Sequence, residues 1–181
     1  IKIIKKWVQK YPQIKLLHNP KKYVPYSLNM AIRASQGKYI ARMDVHTIYP
    51  INYFEECIRL FNSIDAENIG GTIISCGISI RGKAIARCMS SIFGVGNSTP
   101  RIKINNGFVD SVAFGFWKRD VFEKYGYFDE NLIKNQDEDH NYKILEQDGR
   151  IFQSADILTR YFVREKVLDL SGQMFQYGLY K

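Results

Sequence analysis

The stretch LNMAIRASQGKYIARMDVH, residues 28–46, decides how this chain folds. Leu28, Ala31, Ile32 and Ala34 recur at helical spacing, Ser27 stands where a helix N-cap belongs, and Gly37 stands where helices commonly end. Residues 38–43 then read as a strand that stops at Asp44. A helix feeding a strand with a carboxylate at its exit is the unit of an open α/β sheet, in which ligands bind at the carboxyl ends of the strands.

The same alternation continues outward. Upstream, Ile3, Ile4, Trp7, Val8 and Tyr11 follow a helical period closed by Pro12, which predicts a helix packing on a sheet, and residues 14–17 form a short apolar run that reads as a strand. Downstream, residues 51–61 read as an amphipathic helix, 69–75 as a strand, 83–93 as a helix, 109–117 as a strand and 119–125 as a short helix ended by Gly126. Helical periodicity at 136–147, a strand at 157–163 and a helix at 168–180 complete the pattern. The expected fold is therefore α/β, a mostly parallel sheet flanked by helices. Residues 94–107 carry Gly, Asn and Pro without a clear period, and a loop of that length in a small domain is usually functional or mobile.

With 181 residues and 45% hydrophobic side chains, one core is the natural outcome, so residues 1–181 are taken as a single domain. The formal charge of +8 suits anionic partners such as nucleotide diphosphates, lipid phosphates or an acidic membrane surface. Its lysines and arginines are scattered and no nucleic-acid-binding motif accompanies them, so a nucleic-acid partner is not expected. Cys57, Cys76 and Cys88 lack metal-site or disulfide-scaffold spacing and read as reduced, buried residues of a cytoplasmic protein. No window is apolar enough for a membrane span.

Four groups of residues could carry chemistry. Asp44 and His46, two apart after a strand, can meet one hard divalent cation if the backbone turns there, although such spacing also arises in plain loops. Asp137, Glu138 and Asp139 follow Gln136 in the first turn of a helix, where acidic residues also simply complement the helix dipole. Phe114-Gly115-Phe116-Trp117, behind Asp110 and Ser111, offers aromatic faces to a sugar ring or to the core. The final amphipathic segment, around Gln173 to Gly178, suits either a membrane surface or the face of the sheet, and covering the sheet is the expected role.

These segments together resemble glycosyltransferase family 2, which has the Rossmann-like GT-A fold, and within it the branch of succinoglycan-assembly enzymes. The likeness rests on residues 28–46, on Phe114-Gly115, on residues 119–130, on Asn135-Gln136-Asp137-Glu138-Asp139 and on Gln176-Tyr177-Gly178. The family's opening strand and first turn have no counterpart here, so the resemblance implies a catalytic domain truncated at its N-terminus. It further implies an inverting transfer of sugar from a nucleotide-diphosphate donor, a UDP-sugar, to a saccharide or lipid-linked acceptor in bacterial surface polysaccharide synthesis. The expected setting is cytoplasmic, at the cytoplasmic face of the inner membrane, with peripheral membrane association.

By the same resemblance, Asp137 is the catalytic base, Asp44 and His46 hold Mg²⁺ or Mn²⁺, and Asp44, Asn29 and Arg33 bind the donor, with Lys21 and Lys22 as further phosphate contacts. Asp139, Gly115 and Trp117 are assigned to the acceptor. The chain departs from the family in carrying His46 for the second aspartate of the metal motif and Gln136 for the glutamate before the base. Those departures keep open a catalytically impaired sugar-nucleotide-binding module, and the related architecture keeps open a sugar-nucleotide nucleotidyltransferase.

Overall fold

The computed structural model describes residues 2–96, 98–102 and 104–180. Helix α1 (Lys2–Lys10) and helix α2 (Val24–Ala34) precede strand β1 (Tyr39–Ala41) and the two-residue strand β2 (Thr47–Ile48). Helix α3 (Tyr53–Ser63) leads into β3 (Asn68–Cys76), which is followed by three short helices, α4 (Ile80–Cys88), α5 (Ile92–Val95) and α6 (Thr99–Ile102). Strands β4 (Gly107–Phe108) and β5 (Ala113–Lys118), helix α7 (Asp120–Lys124), helix α8 (Gln136–Glu146), strand β6 (Ile151–Phe162) and helix α9 (Val167–Leu179) complete the chain.

The strands form one sheet in the order β1-β5-β3-β6-β2, with β4 also on β6. The α/β class and the helical cover are as expected, but the pairing is mixed: β3 and β6 run parallel, while β1–β5, β3–β5, β2–β6 and β4–β6 are antiparallel. The reason lies in α4 to α6. This segment stays at the carboxyl end of β3, where Arg101 of α6 reaches Ser75, so the chain re-enters the sheet from that end and β5 must run back against β3.

Three apolar clusters hold the layers. Ile32 of α2, Trp117, Phe122 and Phe128 pack with Ile144 of α8 on one side of the sheet, and Cys57 and Phe61 of α3 pack on Ile69, Phe116 and Ile157 on the other. Ile85, Met89, Phe114 and Tyr161 form the third, at the carboxyl end of β3. Each large side chain so buried contributes about 1.5–3 kcal/mol relative to exposure.

Several local expectations are corrected. Residues 14–17 form no strand, and 15–17 lie exposed, because no strand edge pairs with them; β1 is bonded to β5 alone among the described strands. Helix α1 forms as its period predicts yet buries no residue, and Trp7 is 53% exposed. Helix α2 begins earlier than Ser27, with Pro25 in its first turn, and the Ser27 hydroxyl donates back to the Tyr23 carbonyl instead of capping. The helix ends at Ser35 in extended conformation, so Gly37 is not its stop. Strand β6 starts at Ile151, earlier than expected, because buried Gln153 and Ser154 hide its apolar pattern. All three cysteines are free, but Cys57 alone is buried; Cys88 is exposed. Helix α9 sets Leu170 and Met174 against the third cluster, as a covering helix should, while Leu168, Phe175 and Leu179 face outward. No described helix is long and apolar enough to cross a membrane.

Candidate active site

The chain leaves β1 at Ala41 and turns at once. Thr47 N–H donates to the Asp44 carbonyl at 3.2 Å, closing a four-residue turn whose tip, Val45, is fully exposed. The turn carries both Asp44 and His46. Tyr49 fixes one end, its hydroxyl accepting the Asp44 N–H at 3.0 Å. Tyr161 of β6 backs the other, its ring edge-on to His46 at 5.4 Å between centroids.

Asp137 arrives from a different part of the chain. Asn135 takes a left-handed conformation, φ 60°, and starts α8, whose first turn carries Asp137. The helix is docked by buried amides: Asn68 of β3 donates to Asn141 Oδ1 at 2.7 Å and accepts Phe116 N–H at 3.1 Å, and Asn141 donates to Ser111 Oγ at 3.0 Å. Asn135 also donates to the carbonyls of Tyr177 and Tyr180, so the end of α9 is tied to the start of α8.

Arg42 joins the two halves. Its guanidinium lies 3.5 Å from Asp44 Oδ2 and 3.3 Å from Asp137 Oδ2, with the Arg42 side chain only 14% exposed. Its backbone N–H donates to the Gly115 carbonyl at 3.3 Å. Phe114 and Gly115 both have positive φ, 66° and 64°, and a Cβ at Gly115 would overlap the Trp117 ring, so glycine is required there. This kink in β5 aims one carbonyl at Arg42 and sets Phe114 against Tyr49 and Tyr161.

Not every residue assigned from sequence lies at this site. Asn29 is buried in the core face of α2, donating to the Phe128 carbonyl and Glu130 and accepting the Phe128 N–H, so its hydrogen bonds are spent on packing α2 against residues 128–130. Trp117 is 1% exposed among Phe122, Phe128 and His140 and presents no face to a ligand. Gly115 acts through its backbone, as just described. Arg33 is exposed and stacks on Tyr127, and Lys21 pairs with Glu130 and lies over Tyr26; neither makes a contact with Asp44, His46 or Asp137 among the described residues. Lys22, in a left-handed turn, donates its backbone N–H to Asn19.

Asp139 and Glu138 line a cavity of about 490 Å³ that also takes in Asp110, Ser111, Tyr142 and Tyr180, and whose lining includes neither Arg42, Asp44 nor Asp137. Asp139 is paired with Lys143 at 2.7 Å on the same helix. The cavity's acidic and tyrosine groups suit hydroxyl-rich ligands, since carboxylates accept hydrogen bonds from hydroxyls and phenols both accept and donate them.

Sequence reasoning passed over Arg42, Tyr161 and Arg101. Arg42 was readable as a charge adjoining the strand exit. Tyr161 sits in a strand that starts earlier than its apolar pattern, and Arg101 lies in the aperiodic 94–107 stretch, where no pattern signals position.

No three His, Cys, Asp or Glu side chains converge on a common point among the described residues. Asp44 and His46 offer two ligands from one turn, and an ion such as Mg²⁺ that keeps waters and shares phosphate oxygens needs no more from the protein. The donor set therefore fits an ion held jointly with a diphosphate and does not fit a protein-only cage.

Comparison with known proteins bears on the family and the fold. The family profile described as glycosyl transferase family 2 matches residues 1–126. The succinoglycan biosynthesis protein ExoA of Rhizobium meliloti (strain 1021) is 25% identical over 169 residues, covering 92% of this chain and 51% of that protein. A Methanococcus voltae dolichyl N-acetyl-alpha-D-glucosaminyl phosphate 3-beta-D-2,3-diacetamido-2,3-dideoxy-beta-D-glucuronosyltransferase is 22% identical over 177 residues, covering 94% of this chain and 55% of that one. The chain thus spans about half the length of the curated relatives it matches. Among solved structures, GalNAc-T7 with UDP, GalNAc and Mn²⁺ superposes with a TM-score of 0.64 at 12% identity, covering 91% of this chain and 36% of that one. S. aureus TarS 1–349 in complex with UDP-GlcNAc gives 0.59 at 14% identity, covering 90% and 46%. At such identities these two likenesses speak to the fold.

Proposed function

The chain belongs to glycosyl transferase family 2, and from that premise we propose that it is the catalytic part of an inverting glycosyltransferase that moves a sugar from a nucleotide-diphosphate donor, a UDP-sugar, to a saccharide or lipid-linked acceptor in surface polysaccharide assembly. Inversion by direct displacement needs a base on the acceptor side and neutralised charge on the leaving side. Asp137 takes the acceptor hydroxyl's proton as that oxygen attacks the anomeric carbon. Asp44 and His46 are the residues to hold Mg²⁺ or Mn²⁺, which when bound neutralises charge on the departing diphosphate. Asp139, in the acid- and tyrosine-lined cavity at the start of α8, orients the acceptor. The domain is the single unit of residues 1–181, working at the cytoplasmic face of a membrane with which it associates peripherally.

The observation that supports this reading is Arg42 reaching Asp44 and Asp137 together, because it puts the carboxylate for the leaving group and the carboxylate for the acceptor on one guanidinium. UDP and Mn²⁺ in the GalNAc-T7 structure and UDP-GlcNAc in the TarS structure support the donor class. The test is a panel of nucleotide sugars offered to the full-length enzyme with Mn²⁺, scored by released nucleotide. Transfer that is lost in Asp137→Asn supports the assignment. An Asp137→Asn enzyme at full rate removes it, and metal-dependent donor binding without any turnover favours the impaired binding module instead.

A further inference from the structure

Arg101 is carried toward the site by α6, in the middle of residues 94–107, and it arrives without a carboxylate. Its guanidinium lies over the Tyr161 ring, 5.1 Å from the centroid, and donates through Nη1 to Ser75 Oγ at 3.4 Å. Among the described residues it enters no ion pair. It is nonetheless partly withdrawn from water: burial lowers its proton affinity, and Tyr161, Tyr177 and Asp137 act in the opposite direction. A guanidinium keeps its charge under such conditions, because its intrinsic pKa is so high. The chain therefore holds a half-buried cation whose neighbours, among the described residues, are an aromatic face and one long neutral hydrogen bond, with no carboxylate paired to it, so an incoming anion can complete it.

Strand pairing indicates where that anion sits. Ser75 of β3, Tyr161 of β6 and Thr47 of β2 are direct partners across three adjacent strands. They lie near the carboxyl ends of β3 and β6, the parallel pair. His46, next to Thr47, sets its ring against Tyr161 as well. The Tyr161 ring is thus a wall common to His46 and Arg101, and Asp44 opens the same turn that carries His46. The carboxylate electrostatically nearest to Arg101, Asp137, is already engaged by Arg42 at 3.3 Å.

We propose that Arg101 is a diphosphate-binding residue, closing its guanidinium fork on the phosphates of the donor beside the Asp44–His46 turn. The proposal rests on the glycosyltransferase reading and deepens it, by naming a second counter-charge for the leaving nucleoside diphosphate, supplied by the 94–107 stretch. Arginine suits the role because its planar fork matches two phosphate oxygens at once. A fixed cation aimed at the oxygens where charge grows during bond cleavage favours the transition state over the bound donor.

The probe is inorganic pyrophosphate, titrated calorimetrically with and without Mn²⁺ into the chain and its Arg101→Gln, Arg101→Lys and Arg87→Gln variants, with thermal melts of each. Arg87 is an exposed residue at the end of α4 and serves as the charge-matched control. Arg101→Gln is expected to weaken pyrophosphate binding at least tenfold in both conditions, Arg101→Lys to recover part of it, and Arg87→Gln to bind as the parent does. The ligand-free melting temperature of Arg101→Gln should equal or exceed the parent's, since no described carboxylate pairs with the charge removed and glutamine can still donate to Ser75; a merely structural arginine gives a lower melting temperature and unchanged affinity. Unchanged affinity in a folded Arg101→Gln chain overturns the assignment and leaves the family reading intact. If that variant does not fold, parental affinity in Arg101→Lys overturns the fork-binding claim in the same way. A parent chain that binds no pyrophosphate overturns the donor site itself, and Arg101's role with it.

Discussion

Arg42 lies 3.3 Å from the carboxylate of Asp137, a residue 95 positions away in sequence, and the same guanidinium is 3.5 Å from Asp44. Two acidic groups assigned separate roles in the proposed reaction thus share one largely buried cation. Replacing Arg42 with Met removes that cation and leaves the carboxylates facing each other without compensation. Turnover on the best donor should fall about 100-fold in kcat/KM, equivalent to about 2.7 kcal/mol of lost transition-state stabilisation. Arg42→Lys should recover only part of the loss, because an ammonium is a single point charge. Steady-state kinetics on the full-length enzyme check this, and a wild-type rate in Arg42→Met breaks the proposed link between the two carboxylates.

In the proposed reaction the strength of metal dependence follows from the ligand count. With Asp44 and His46 the two ligands proposed among the described residues, much of the ion's affinity would come from the diphosphate, so the ion should bind weakly alone and tightly with UDP. Excess chelator should abolish transfer, with Mn²⁺ or Mg²⁺ restoring it. His46→Ala should raise the metal concentration for half-maximal rate roughly 10- to 100-fold, whereas His46→Asp should restore tight use of the metal. Undiminished turnover in chelator rules out both residues as ligands.

The amides that dock α8 make a stability prediction. Asn68 bonds to both Asn141 and the Phe116 backbone in a fully buried setting. Asn68→Ala leaves the Asn141 oxygen and the Phe116 N–H unsatisfied, at a cost of about 2–4 kcal/mol. A chain of this size should then melt roughly 4–16 °C lower. Calorimetric melting tests it, and activity should fall along with stability because Asp137 is carried by the helix so released.

What the sequence made legible depends on whether a signal was local. Helical period and turn chemistry are local, so α3, α7, α8 and α9 lie close to their expected bounds, and Asp44 falls at the strand exit. The sense of strand pairing is not local: β5 runs antiparallel because α4 to α6 return the chain at the carboxyl end of β3, and no residue in β5 records that. Asn29 and Trp117 misled for a related reason. A polar or aromatic residue inside a recognisable motif is equally at home holding the motif's helix or strand in place, and burial alone separates the two uses. Arg101 shows the opposite failure, a residue in an aperiodic stretch whose position is set by what packs around it.

His140 gives the fold a predictable acid limb. It is fully buried among Phe122, Phe128 and Trp117, with Nε2 3.0 Å from the Gly126 carbonyl, so the neutral ring donates that hydrogen bond. Burial pushes its pKa down to about 4, with nearby Lys143 adding to the effect and the Gly126 hydrogen bond and Asp139 opposing it. In the unfolded chain the ring titrates near 6.5, the ordinary value for histidine. Between those values the unfolded state binds a proton that the native state refuses, so stability rises with pH across the window and is lost as pH falls from about 6.5 toward about 4. The loss attributable to this one residue is on the order of 3 kcal/mol. Urea unfolding of the parent at a series of pH values should show that slope, and His140→Phe, which fills the same aromatic pocket without a titrating group, should flatten it. An equal slope in His140→Phe would assign the acid sensitivity to other groups.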